Sequence, residues 1–156
     1  MTEREAIAQT EEELEQLEQL EGDAPRVGII MGSKSDLELM EKAGEVLDEK
    51  GIRHEIRVMS AHREPDLVAD YCRNAHMRGL RVIIAGAGLS AALPGVAAAH
   101  TDLPVIGVPL TSSLSAAGGL DAILSVAQMP PGVPVACVGL DNPKNAGHLA
   151  ALILGA

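Results

Sequence analysis

The chain has no Phe, no Trp and a single Tyr in 156 residues. Single-stranded nucleic acid is generally held by stacking its bases on aromatic rings. Tyr71, the one such ring, falls in a segment expected to be helical. The formal charge of −10 further opposes polyanions, so nucleic acid is not an expected partner. The same want of rings disfavours a flavin. No run is long and apolar enough to span a membrane. The first residues are acidic and Gln-rich, unlike the basic start of a secretory signal. Cysteine is scarce. Cys72 and Cys137 lie far apart without CxxC spacing and read as reduced thiols of a cytoplasmic protein. His54, His76, His100 and His148 show no metal-ligand spacing with one another or with cysteine. Each reads as a surface or capping residue, and no metal is expected.

What remains is aliphatic. Apolar residues make up 47% of the chain, chiefly Ala, Val, Ile and Leu. The length fits one domain with a real core. Charge is uneven: residues 1–22 hold eight Glu and one Arg, a net of −7 out of −10, leaving −3 for the other 134. In this stretch Leu14, Leu17 and Leu20 recur at helical spacing, with Ile7 one heptad before Leu14. A helix over 2–21 is expected, either docked on a surface or left as a solvated tail. Gly22-Asp23-Ala24-Pro25 breaks it from the body. The chain thus divides into an acidic helical extension, 1–24, and an α/β domain, 25–156.

From Arg26 strands and helices alternate. Strands are expected at 26–31, 53–59, 81–85, 104–108 and 134–139. Helices are expected at 35–49, 64–78, 89–100, 119–127 and 142–154. Near-continuous apolar strands in five βα units indicate a doubly wound, flavodoxin-like parallel sheet. Such sheets bind ligands at the carboxyl ends of their strands.

Two polar segments fall at that edge. Gly32-Ser33-Lys34-Ser35-Asp36 follows the first strand. Its glycine permits a tight turn, and its amides and hydroxyls suit an anion at a helix start. Asp36 would repel phosphate and fits better as an acceptor for ribose hydroxyls. Alternatively Ser35 or Asp36 merely caps the helix. Ser60-Ala61-His62-Arg63 follows the second strand. The imidazole of His62 can give and take a proton near neutral pH. Arg63 offers a planar fork to phosphate or carboxylate, or is a solvated charge at a helix start. Together the segments point to an enzyme acting on a phosphorylated small molecule. Gly86-Ala87-Gly88-Leu89-Ser90-Ala91 matches GxGxxA, but no acidic residue ends the next strand, as a dinucleotide fold would require. It reads as a close-approach loop for the same substrate.

In order along residues 26–155, the chain resembles the PurE family of purine biosynthesis. The matching stretches are Met31-Gly32-Ser33-Lys34-Ser35-Asp36, Ser60-Ala61-His62-Arg63 with Pro65, Ile83-Ile84-Ala85-Gly86-Ala87-Gly88, Leu93-Pro94-Gly95, Pro104-Val105-Ile106-Gly107-Val108-Pro109, Gln128-Met129-Pro130 and Asn145-Ala146-Gly147. The resemblance implies a mutase. It would move a carboxylate from the exocyclic nitrogen of N5-carboxyaminoimidazole ribonucleotide to ring carbon 4. A second type in the family carboxylates aminoimidazole ribonucleotide with free CO2 and usually has Lys after the motif His. Arg63 resembles the mutase type. By resemblance His62 is the general acid/base, Ser33, Ser35 and Arg63 bind phosphate, and Asp36 binds ribose. Ser60, Ala61, Gly88 and Leu93 line the pocket near the imidazole and carboxylate. No metal or organic cofactor is implied. A homo-octamer is, and so is an ATP-dependent carboxylase as supplier of the carbamate.

Three departures stand out. Ala92 occupies the place of a second family histidine, which keeps open CO2-dependent carboxylation or a silent nucleotide-binding role. The loop Thr111–Gly118 looks longer than usual. The chain ends at Ala156, where relatives usually continue into another helix. Residues 2–21 are expected to dock where that helix would lie.

Overall fold

The computed structural model describes residues 2–156. Its elements are α1 (Glu3–Asp23), β1 (Val27–Met31), α2 (Leu37–Glu49), β2 (His54–Val58), α3 (Pro65–Asn74), β3 (Val82–Gly88), α4 (Leu93–Ala99), β4 (Val105–Leu110), α5 (Leu120–Ala127), β5 (Ala136–Cys137) and α6 (Pro143–Ile153). Short 3-10 turns lie at Lys34–Asp36, His76–Arg78 and Ala116–Gly119.

All strand pairs are parallel, in the order β2-β1-β3-β4-β5. The chain starts in β1, crosses to β2, then reverses to β3. The crevice between the carboxyl ends of β1 and β3 is therefore the topological switch point. Both sheet faces are covered, which explains the unbroken apolar strands. Side chains alternate along β1: Ile30 joins one core with α3, α4 and α5, while Val27, Ile29 and Met31 join another with α2 and α6. Ile29, Ile84 and Ile106 are fully buried, each stabilising the fold by about 1.5–3 kcal/mol. Helix α6 approaches α2 closely because Gly147 has no side chain. A Cβ there would lie 2.8 Å from the carbonyl oxygen of Ala43.

Several boundaries differ from expectation, each for a physical reason. Strand β3 runs on to Gly88, so Gly86-Ala87-Gly88 is buried strand, not loop. Small residues were needed there: a Cβ on Gly88 would lie 2.9 Å from the carbonyl oxygen of Leu110. Helix α4 accordingly begins at Leu93 instead of 89, with Pro94 in its first turn. Strand β5 shrinks to Ala136–Cys137, an edge strand paired only with Ile106 and Gly107. Pro134, just before it, has no N–H for the ladder. Helix α3 stops at Asn74, and a 3-10 turn closed by left-handed Gly79 carries the chain to β3. His54 is no surface residue. Its side chain is 15% exposed, beneath α2, with Nδ1 3.5 Å from the Asp48 carboxylate. Cys72 and Cys137 are free thiols. Burial pushes the Cys72 thiol up to about 11, so it stays protonated and inert.

Helix α1 opens with a capping box: Thr2 Oγ1 accepts from the Glu5 amide, and the Thr2 amide donates to the Glu5 carboxylate at 2.6 Å. Its C-terminal end is tied to the body by Asp23 and Arg53, 2.8 Å apart. Both are well exposed, so the pair adds about 1 kcal/mol at most. Ile7, Leu14, Leu17 and Leu20 remain exposed. Among the described residues no helix is long and apolar enough to cross a membrane.

Candidate functional site

Register brings the two polar segments together. Met31 pairs with Val58 on one side and Gly86 on the other, so β1 and β2 end level and β3 runs two residues further, to Gly88. The Met59 amide donates to the Met31 carbonyl at 2.8 Å, holding the two exits side by side.

After β1, Ser33 caps the 3-10 turn. Its hydroxyl accepts from the Ser35 amide at 3.3 Å and lies 2.9 Å from the Ser35 hydroxyl. After β2, Ser60 is 7% exposed, the one polar side chain counted within the core among the described residues. Its hydroxyl accepts from the amide and from Nε of Arg63, both at 3.2 Å. Arg63 also donates through Nη2 to the Gly32 carbonyl at 2.7 Å. One guanidinium thus staples the β2 exit to the β1 exit. Its charge lies over the crevice, next to exposed His62.

A cavity of about 380 Å³ opens at this point, within the size range of small-molecule sites. His62, Ser33, Asp36, Ser60, Ala61, Arg63, Gly88 and Leu93, all expected at the site, border it. Ser35 does not. It is exposed and acts through its hydrogen bond to Ser33. Ala87 and Leu89, from the segment expected to approach the substrate closely, border it too, and so do three residues that the sequence reading did not single out: Leu110, Thr111 and Ser112. The available signal was the polar pair Thr111-Ser112 directly after an apolar strand, at the same edge of the sheet. A depression of about 910 Å³ around Arg73, His100 and Gly132 is larger. It includes Pro104, ahead of β4, and so lies away from the carboxyl edge. The two polar loops do not reach it.

Electrostatics distinguish Asp36. Burial first, and then the nearby charge of Asp141, push its carboxyl above the usual range. Asp141 is itself fixed, since its carboxylate accepts from the Thr111 amide at 2.8 Å and from the Thr111 hydroxyl. Its own amide donates to the Pro109 carbonyl at 2.9 Å. This clamp pins the exit of β4 against the turn before α6. An anionic Asp36 in such a place is short of hydrogen-bond donors, which a pair of sugar hydroxyls would supply.

The cavity has two tones. Ser33, Asp36 and Arg63 make a polar side from the β1 and β2 exits. Ala87, Leu89, Leu93 and Leu110 make an apolar side from β3, β4 and α4. His62 comes from the β2 exit. Leu89 holds a left-handed backbone, φ 54°, which costs a side-chain-bearing residue roughly 1–2 kcal/mol. The arrangement can fix an anion, hold a diol, and exchange protons with a ring lying against an apolar wall.

A family model described as AIR carboxylase matches residues 26–156. A protein of Thermotoga maritima named N5-carboxyaminoimidazole ribonucleotide mutase is 60% identical over 132 residues, 84% of this chain and 75% of that one. One of the same name from Pyrococcus abyssi is 56% identical over 130 residues, 83% of this chain and 74% of that one. The crystal structure of Treponema denticola PurE is similar at a TM-score of 0.73 and 35% identity, over 84% of this chain and 80% of that chain.

Proposed function

Because the chain belongs to the AIR carboxylase family, we propose that it is a mutase of purine biosynthesis. It converts N5-carboxyaminoimidazole ribonucleotide to 4-carboxy-5-aminoimidazole ribonucleotide, the activity named for four of its relatives at 53–60% identity. The observation that supports it most is that His62, Arg63, Ser33 and Asp36 border a single cavity.

The substrate phosphate lies against Ser33 and Arg63, with Ser35 backing Ser33. The ribose hydroxyls donate to Asp36. The imidazole ring rests near Ser60 and Ala61, facing His62, with the migrating carboxylate towards Gly88 and Leu93. The carbamate N–C bond breaks, and its electron pair stays on nitrogen and takes a proton from the His62 imidazolium. CO2 is released inside the cavity. Ring carbon 4 then attacks it with its π electrons, forming the C–C bond. The proton on carbon 4 returns to His62 as the ring regains aromaticity. Proton and charge balance over the cycle, and His62 ends as it began. The apolar side of the cavity limits contact of the intermediate with water.

The test is to supply each substrate with and without bicarbonate. Interconversion of the two carboxylated isomers at a rate independent of bicarbonate is expected. Turnover only of aminoimidazole ribonucleotide with free CO2 would overturn the mutase in favour of the carboxylase.

The proposal extends to the setting. Residues 25–156 form the catalytic domain and 1–24 an acidic helical extension. The protein works as a cytoplasmic homo-octamer, and an ATP-dependent carboxylase supplies its labile carbamate. The exposed stripe Ile7, Leu14, Leu17 and Leu20 docks on a neighbouring subunit. Light scattering on a chain lacking residues 1–22 tests this. A smaller assembly or a lower melting temperature is expected, and an unchanged assembly of unchanged stability would contradict it.

A further inference from the structure

At the amino edge of the sheet, away from the cavity, two arginines stand side by side. Val27 pairs with Val82, and just ahead of them the Arg81 amide donates to the Arg26 carbonyl at 2.7 Å. Both side chains are exposed and border one notch of about 470 Å³. Like charges opposed on neighbouring strands destabilise a sheet. Among the described residues neither arginine is ion-paired. Arg81 donates to His76 Nδ1 at 3.1 Å, a contact that brings no negative charge. Arg78, beside them, is already committed to Glu55. Met77 completes the notch and is 80% exposed, the highest value among the large apolar side chains of the described residues. Two unpaired cations around a bare methionine suit an acidic, amphipathic segment.

The chain itself carries such a segment. Helix α1 lies within the stretch of net charge −7 and bears the exposed stripe Ile7, Leu14, Leu17 and Leu20. Leu17 and Leu20 border the notch of their own chain. Ile7 lies ten residues before Leu17. That separation is ~15 Å along a helix, which puts Ile7 out of reach of the notch on its own chain. We infer that this notch seats α1 of a second copy, exchanged reciprocally about a twofold axis. The inference rests on the docking of the stripe proposed above and adds the surface on which it docks. Ile7 and Leu14 of the second copy cover Met77. Its Glu11 and Glu18, each one turn beyond those residues, face Arg26 and Arg81. Two α1 helices do not pair with one another instead, because each brings a net charge of −7 and like charges across an interface repel. Each copy offers one helix and one notch, so a closed pair leaves neither unfilled.

The experiment is cross-linking between chains. Full-length chains carrying Leu14→Cys and full-length chains carrying Met77→Cys are co-expressed and oxidised, and linked pairs are identified by mass spectrometry against oxidised wild type. A disulfide between the two kinds of chain is expected. Arg26→Glu with Arg81→Glu on the Met77→Cys chain should lower its yield by ~10-fold or more, since repulsion replaces attraction across the interface. The fold should survive, because two opposed glutamates replace two opposed arginines at exposed positions, and the melting temperature checks this. Glu11→Arg with Glu18→Arg on the Leu14→Cys chain should then restore the link. Leu14→Cys chains linked only to one another would overturn the seat in favour of paired α1 helices. An undiminished link in the folded, charge-reversed variant would overturn it as well. If the two kinds of chain do not link while loss of residues 1–22 still shrinks the assembly, the notch is overturned as the seat and the docking of α1 stands. If that loss changes nothing, docking and seat fall together. The mutase reading is assayed separately, by turnover.

Discussion

Two polar clusters flank this sheet, and they are built on opposite terms. Near the amino end of β2, Glu55 accepts from the Tyr71 hydroxyl at 2.8 Å and from Arg78 at 2.6 and 2.5 Å. Arg78 also lies 5.3 Å from the centre of the Tyr71 ring. Burial alone would push the Glu55 carboxyl up, but hydrogen bonds from Arg78 and Tyr71, with the charges of Arg78 and Arg57, outweigh it and hold it low. Burial, then Glu55, push the Tyr71 phenol well up. Every group there has its partner. At the carboxyl edge, Asp36 is half-buried with another carboxylate nearby, and its pKa moves the other way. His62 is exposed, and Arg63 uses only part of its guanidinium on Ser60 and Gly32. Satisfied polar groups hold a fold together, while unsatisfied ones await a ligand. The carboxyl edge is therefore the working end.

The contrast can be attacked in order of expected effect. His62→Asn should cut turnover by ~10²–10⁴-fold or more, because one group makes both proton transfers. Stability should stay within about 0.5 kcal/mol, as for other exposed positions. Retained turnover would remove His62 from the chemistry. Glu55→Gln should do the reverse. Loss of its charged hydrogen bonds should cost about 1.5–3 kcal/mol in chemical denaturation, with kcat of the folded enzyme little changed. The sign in pH follows from the lowered carboxyl. Its stabilisation is present above the unfolded pKa of ~4.3 and lost as pH falls through the folded value. The variant should lack that acid loss, and an unchanged acid limb would show the knot to be unimportant.

Asp36→Asn is the subtler test. A raised carboxyl means that the fold disfavours the ionised form. Stability therefore drops as pH rises from the usual carboxylate range through the folded value. Asparagine should raise stability at neutral pH by under ~1 kcal/mol, since water screens a half-exposed group. The gain should vanish in acid. KM should rise at the same time, through loss of the diol acceptor. A variant less stable at neutral pH would place Asp36 with Glu55 as a structural group.

The βα rhythm was legible because strands buried on both faces must be apolar throughout. The segments after β1 and β2 were legible because polar residues there interrupt such runs abruptly. The far wall was legible only in part. Gly86-Ala87-Gly88 has the composition of a turn but is strand, made small by the closeness of Leu110. Thr111 and Ser112 join the site only because β4 lies beside β3, on the far side of β3 from β1, a fact of strand order that chain order does not reveal. Ser35 looked equivalent to Ser33, and only the capping geometry turns one to the cavity and the other to solvent. His54 was misread because its burial comes from a helix packed above it, not from its own strand neighbours.

The most direct test of the working end is a crystal structure with aminoimidazole ribonucleotide bound. The account predicts phosphate at Ser33 and Arg63, ribose at Asp36, and a ring nitrogen of His62 within hydrogen-bond reach, ~3.2 Å, of the exocyclic nitrogen or of a group on carbon 4. A nucleotide seated in the depression around Arg73 and His100, or one bound with its ring turned away from His62, would contradict it.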